Sequence, residues 1–303
     1  MAATVVVLGS INIDQVIHLA KLPGPGETVG MGGFSSCPGG KGSNQAAAAH
    51  LAGASVRLYG FIGDDMYGQE AVSYLKELGV DLKGVLPVKG AHTGIAQIVV
   101  DDRGENQIAV APGANFCYDP SAIELPDVPD GECWVALFQN EIPQEASETL
   151  VSLCKRKGML TVWNSAPHFQ KRPAASVLAD LDFLICNQGE LEMVAGPGTI
   201  REETDRVLSW GVKNVIVTLG ARGSCWAGEN NFHTQEAFTV QSVDTVGAGD
   251  CFCGVFATAL AEGHPVKKCL GKASAAAALS ITRKGAQTSF PTASEVARLM
   301  NGG

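Results

Sequence analysis

The chain has 303 residues, 46% of them hydrophobic and 17% charged, and carries a net charge of −9. This is the make-up of a folded protein with a full core, either one large α/β domain or two small ones, and it excludes a disordered chain. The acidic balance argues against nucleic acid as the main partner.

The opening MAATVVVLGS lacks the charged flank and long apolar core of a signal peptide, and no run reaches the roughly 18 apolar residues of a membrane span. Nine scattered cysteines, without zinc or disulfide spacing, read as reduced and mostly buried thiols. A cytoplasmic protein with no membrane partner is expected.

The first predicted strand is TVVVLG at 4–9. Just beyond it, in GSINIDQVI, Asn12 and Asp14 fall on one side of an extended chain. An amide and a carboxylate so placed can share the hydroxyls of a polyol, and an ordinary turn uses the same residue types. In PGGKGSNQAAAA, Gly39 and Gly40 let the backbone approach a ligand, and a helix starting near Gly42 puts Lys41 and Asn44 on one face. This is not a Walker A loop, and no G-x-G-x-x-G stands between a strand and a helix, which disfavours a P-loop NTPase and a dinucleotide dehydrogenase.

Short β-branched runs at 55–63, 133–139, 159–163, 182–186 and 214–220 alternate with helical stretches at 43–51, 67–78, 144–157 and 199–210. This alternation predicts an α/β fold with a parallel sheet covered by helices on both faces, and with ligands at the carboxyl ends of its strands. The alanine-rich runs at 46–50 and 273–280 suit close helix packing. Segments 11–36 and 92–113 break the alternation and read as hairpins or strand pairs, the second turning at DDRGEN. With no helix of their own, they form either a small β-sheet lid over the main sheet or a surface meander.

Three stretches converge on the carboxyl edge of the sheet. NQGE at 187–190 places Asn187 and Glu190 there, with Glu190 holding a magnesium-bound water or facing a helix dipole. TLGARGS at 218–224 ends another strand with two glycines, which suits a nucleotide lying against backbone. In DTVGAGDCFCGVF, Gly247 and Gly249 turn the chain into an apolar helix whose free amides and dipole make an anion site. Asp250 at its mouth is either the cap of that helix or a general base beside a phosphate cradle. An acidic protein that handles phosphates is expected to enlist a divalent cation, magnesium first.

Together GSINIDQV, LPGPGETV, PGGKGSNQA, NEIP, NQGE, TLGARG, DTVGAGD and TRKGAQTS resemble the ribokinase or PfkB-type carbohydrate kinase family over nearly the whole chain. The resemblance implies one kinase domain over 1–303, a ribokinase-like sheet with a lid from 11–36 and 92–113, and transfer of the γ-phosphate of ATP to the 5-hydroxyl of D-ribose. It makes Asp250 the base and the backbone of Gly247, Ala248 and Gly249 the anion hole. Asn12, Asp14, Gly40, Lys41, Asn44 and Glu141 line the sugar site. Asn187, Thr218, Gly220, Ala221, Gly223, Gly249 and Ser274 face ATP, and Glu190 helps to place Mg2+. A potassium ion (K+) falls to Asp244, Val246, Ser280, Arg283, Gly285 and Ser289, several through backbone carbonyls, and the lid often serves as a homodimer interface. The chain departs from the family pattern at Gly189, at Ser274 and in the Phe138–Gln139–Asn140 segment. Other kinases of the family, for 2-deoxyribose, fructose or a nucleoside, and a non-catalytic sugar-binding regulator are the alternatives.

Overall fold

The computed structural model describes residues 3–229 and 231–302. Strand β1 (Thr4–Leu8) is buried along its whole length, as a strand covered on both faces must be. After it come β2 (Asn12–Leu19), β3 (Gly33–Gly39), α1 (Lys41–Leu51), β4 (Ser55–Gly63), α2 (Met66–Leu78) and β5 (Asp81–Val88). Strands β6 (Gly94–Asp101) and β7 (Asn106–Ala111) precede the unit β8 (Trp134–Phe138), α3 (Gln144–Arg156), β9 (Leu160–Asn164), α4 (Ala175–Asp180) and β10 (Phe183–Asn187). The chain then forms α5 (Gln188–Ala195), α6 (Ile200–Ser209), β11 (Asn214–Thr218), β12 (Ser224–Gly228) and β13 (Asn231–Gln235), and ends in α7 (Ala248–Ala261), α8 (Val266–Ser280) and α9 (Ala293–Met300).

The large sheet has the order β13-β12-β11-β10-β9-β8-β1-β4-β5. Successive side chains of a strand point to opposite faces, and the two cores divide accordingly. Val5, Val7, Leu58, Leu137 and Ile185 pack with the alanines of α1 and with α7 and α8, while Val6, Leu8, Phe138, Trp163 and Leu184 pack with α3, α4 and α6. From β5 through β11 all neighbours run parallel, as the alternation predicts. β12 and β13 add an antiparallel edge. The turn into β12 relies on Gly223 at φ 89°, where an added Cβ would lie 2.0 Å from the Gln235 carbonyl oxygen. The glycines of TLGARGS therefore also serve a hairpin.

Segments 11–36 and 92–113 contribute a separate four-stranded sheet, β3-β2-β6-β7. Its inner pair, β2 and β6, is parallel, and β3 and β7 flank it antiparallel. The turn after β6 falls at DDRGEN, with Asp101 Oδ1 accepting from the amides of Arg103 and Glu105.

Strand order reverses between β1 and β8: the chain builds outward to β5 on one side and to β13 on the other. At such a switch point the loops leave in opposite directions and open a crevice at the strands' carboxyl ends. Gly9 to Asn12 and Gln139 to Glu141 lie there.

Candidate active site

Close packing of α1 on α7 sets the geometry. A Cβ on Gly254 would stand 2.6 Å from the Gln45 carbonyl oxygen and 2.7 Å from Ala48 Cβ, so only glycine lets the helices approach this far. One turn earlier on α7, Asp250 meets α1. Asn44 Nδ2 donates to its Oδ2 at 3.0 Å, and Gln45 Nε2 donates to its Oδ1 at 3.1 Å. Asp250 is thus not the helix cap. That place belongs to Gly247, in the left-handed region at φ 75°, without a side-chain cap bond.

The helix bonding of α7 begins with Cys251 N donating to Gly247 O. The amides of Gly249 and Asp250 find no protein acceptor among the described residues, so they are free for an anion at the positive end of the dipole. A hollow of about 150 Å3 lies against them, lined by Gly247, Ala248, Gly249 and Asp250 together with Lys41, Asn187, Glu190 and Thr218.

A second hollow, of about 330 Å3, opens beside it and is lined by Asn12, Asn115, Asn140, Glu141, His168 and apolar residues that include Val110 and Phe116. Lys41 lines the first hollow and Glu141 the second, and the Lys41 amide donates to Glu141 Oε2 at 3.0 Å. Ser10 Oγ donates to the same oxygen at 2.6 Å. Gly40 carries φ 88° at the start of α1, and a Cβ there would come 2.8 Å from Asn12 N. A Cβ on Gly39 would stand 2.2 Å from the Asp14 carboxylate. The two glycines therefore seat β3 against the residues that carry Asn12 and Asp14.

The charges of the site are coupled. Burial, with help from Glu141 and Asp250, raises Asp14 from its usual 3.8 to about 7, and Lys41 pulls the other way. Asp250 raises the pKa of the Lys41 ammonium, burial opposes it, and Glu141 and Glu190 add to the rise. Burial also raises Glu190, opposed by the Asn187 amide and Lys41. One Lys41 cation thus serves several carboxylates that share a poorly solvated space.

Glu190 and Asn187 form a capping box at the start of α5, with Glu190 Oε2 accepting from Asn187 N and Asn187 Oδ1 accepting from Glu190 N, both at 2.8 Å. The helix-start reading of Glu190 holds, and the residue lines the hollow as well. Gly220 and Ala221 lie in the tight turn after β11, beside Thr218. Ser274 is buried on α8 with its hydroxyl 3.3 Å from that of Ser224.

Asp244 ties two loops together, Oδ1 accepting from Val246 N at 3.0 Å and Oδ2 from Gly285 N at 2.9 Å. Ser280 and Ser289 donate their hydroxyls to the carbonyls of Ala277 and Ala286, and the Arg283 guanidinium pairs with Glu295. Among the described residues the carbonyl oxygens of Val246, Arg283 and Gly285 accept no hydrogen bond, whereas those of Thr245, Ser280 and Ala286 already do.

Several polar residues of the site escaped the reading of the sequence. Gln45, Gln139, Asn164 and Gln287 form a buried amide network behind Asp250, and Asn115 holds Asn12. A usable signal existed for Asn164, since it ends a strand at the same edge as Asn187. Gln45 directly follows Asn44 in KGSNQ. Asn115 and Gln287 carried no such signal.

Residues 2–293 match the profile of the pfkB family carbohydrate kinases. The chain is 35% identical to the ribokinase of Schizosaccharomyces pombe, with 96% of both chains covered, and 31% identical to the deoxyribokinase of Salmonella typhi, with 95% of both covered. Its fold is similar to that of Arabidopsis thaliana ribokinase complexed with ribose and ATP, at 30% identity and a TM-score of 0.88 with 99% of both chains covered.

Proposed function

The chain belongs to the pfkB family of carbohydrate kinases, and on that premise we propose that it transfers the γ-phosphoryl group of ATP to the 5-hydroxyl of D-ribose, giving D-ribose 5-phosphate and ADP. The observation that carries this reading is the placement of the Asp250 carboxylate beside the free amides of Gly249 and Asp250, in one hollow with Lys41. A base and an anion site side by side are what in-line attack of a hydroxyl on a phosphoryl group requires.

In this reading Asp250 accepts the proton of the primary hydroxyl as its oxygen bonds to phosphorus and the bond to the leaving oxygen of ADP breaks. In the anion hole formed by Gly247, Ala248 and Gly249, the amides left free to donate to the charge on the transferred group are those of Gly249 and Asp250, since the Ala248 amide already donates to the Thr245 carbonyl. Little covalent chemistry falls to the protein, so most of the benefit comes from positioning and from these donors. Asn12, Asp14, Gly40, Lys41, Asn44 and Glu141 hold the sugar, with Asp14 accepting from its hydroxyls. Asn187, Thr218, Gly220, Ala221, Gly223 and Ser274 take the nucleotide side.

The residues present fit both metal ions of the reading. Among the described residues no three acidic, histidine or cysteine side chains gather as a metal cage. Glu190, a carboxylate lining the hollow beside the anion site, would hold Mg2+, which keeps several waters and binds through phosphates and one or two carboxylates, and the ion would offset charge on the phosphates. Asp244, Val246, Ser280, Arg283, Gly285 and Ser289, several through backbone carbonyls, would hold K+, which would order the loop next to the anion site.

The small sheet acts as the lid. Register places Val110 in the row of Asp14 and Ile108 two residues along in the row of Val16, so both lie on the Asp14 face, and both are more than half exposed. Closing over sugar, or pairing with the lid of a second copy in a homodimer, covers them. The reading places the protein in the cytoplasm. No described helix is long and apolar enough to cross a membrane. The identity to a deoxyribokinase supports 2-deoxyribose as a second reading of the substrate. Ribose-dependent ADP formation, measured against 2-deoxyribose, tests both.

A further inference from the structure

We propose that Gln45 and Gln287 are positioning residues for the Asp250 carboxylate, Gln45 by donating to it and Gln287 by fixing the amide of Asn44 that donates to it. The proposal rests on the reading of Asp250 as the general base.

An amide side chain has a donating end and an accepting end of nearly equal shape, and only the donating end is welcome beside a carboxylate. Something must specify which end faces Asp250. For Gln45 three partners do so. Its Nε2 divides its two hydrogens between Asp250 Oδ1 and Asn164 Oδ1, each at 3.1 Å, and its Oε1 accepts from Gln139 Nε2 at 2.7 Å. Asn164 is oriented in turn, because its Nδ2 donates to the Ile185 carbonyl at 3.2 Å. A flipped Gln45 would point its oxygen at two oxygens and its nitrogen at another nitrogen.

Asn44 is specified from the other side. Gln287 Nε2 donates to Asn44 Oδ1 at 3.0 Å and to Ser43 Oγ at 2.9 Å. With Asn44 Oδ1 occupied by a donor, its Nδ2 is the end left for Asp250 Oδ2. Gln287 lies two residues beyond Gly285, whose amide holds Asp244, so the same loop touches both the Asp244 turn and the base. Neither glutamine lines either hollow, and they are 0% and 3% exposed. Both act through other residues and not on substrate.

The two arms differ in a way that can be measured. Of the residues read as base or sugar contacts, Gln45 touches Asp250 only, whereas Gln287 works through Asn44, which the reading also places at the sugar. Loss of Gln45 should lower kcat and spare the KM for sugar, while loss of Gln287 should change both.

The test is steady-state kinetics of Gln45→Met, Gln287→Met and Asp250→Asn, with a double variant of the first and last. Gln45→Met keeps length and loses the donor. It is expected to lower kcat about 10- to 100-fold, as small misplacements of reacting groups do, with the ribose KM within about two-fold of the original. In the Asp250→Asn background the same change should have no further effect on kcat, since a residue acting through Asp250 has nothing left to position. Should Gln45→Met fail to fold, Gln45→Glu keeps the shape and the acceptor for Gln139 but turns an acceptor toward Asp250, and its loss of kcat should be at least as large. An unchanged kcat in the variant that folds, or a loss that multiplies fully with Asp250→Asn, overturns the positioning role. Near-normal turnover by Asp250→Asn alone would instead remove the base reading beneath it.

Discussion

Asn115 Nδ2 donates to Asn12 Oδ1 across 2.7 Å, so Asn12 has its own amide hydrogens left to offer the hollow. Asn115 is itself fixed, its Oδ1 accepting from Ile11 N at 2.9 Å. The sequence leaves Asn12 free to donate or accept, and the fold leaves it a donor. Beside Asp14, which accepts when ionised, it suits a group that both accepts and donates, which is a hydroxyl. Asn12→Asp should therefore raise the KM for ribose by at least about 10-fold, because a site built to donate loses strongly when it cannot. An unchanged KM would contradict the donor assignment.

Asp14 makes the site pH-dependent. Its carboxyl titrates near 7, so sugar affinity should fall as pH drops below that value and Asp14 ceases to be a pure acceptor. The sign for stability is the opposite. A carboxyl raised by folding from 3.8 to about 7 costs stability in full above about 7 and nothing below about 4. Asp14→Asn should raise Tm at pH 8, with a gain that vanishes near pH 4. A gain independent of pH would rule out burial of this charge as its source.

Asp250→Asn should lower kcat by about 10²- to 10⁴-fold, the usual cost of losing a general base. Ribose binding, followed by calorimetry, should survive, because the new amide keeps the size of the carboxylate, its oxygen accepting from one of Asn44 Nδ2 and Gln45 Nε2 while its nitrogen opposes the other. A variant that turns over at close to the full rate would remove Asp250 from its role.

Gly254 tests the packing that brings the helices together. Gly254→Ala forces a Cβ against the Gln45 carbonyl and Ala48, which should cost about 1–3 kcal/mol of stability. It should also lower kcat more than sugar affinity, since α7 moves away from α1 at the base. Denaturant unfolding and steady-state kinetics on one preparation check the two together.

The parallel sheet was legible because β-branched runs alternate with helical stretches along most of the chain, although the short α4 between β9 and β10 was not read. The strands of the small sheet were legible for the opposite reason, since no helix separates β2 from β3 or β6 from β7. β5 was not, because Gly84 and Pro87 interrupt DLKGVLPV, and an edge strand tolerates both. β12 and β13 were hidden behind a glycine turn that reads equally well as a ligand loop. In the site, glycines and the residues beside them stood out, since a glycine before a helix is a strong local signal. The amide network did not. Gln139 and Gln45 are 94 residues apart, and Gln287 and Asn44 are 243 apart, so only the tertiary fold pairs them. Whether Asn12 donates or accepts depends in the same way on Asn115, 103 residues away.

ATP-dependent phosphorylation of ribose is tested most directly by ADP formation by the purified protein with Mg2+ and ATP, on D-ribose, 2-deoxyribose, fructose and adenosine, each with and without K+. The highest kcat/KM is expected on ribose, with turnover that rises when K+ is added. Turnover on another of these substrates but none on ribose would contradict the assigned sugar.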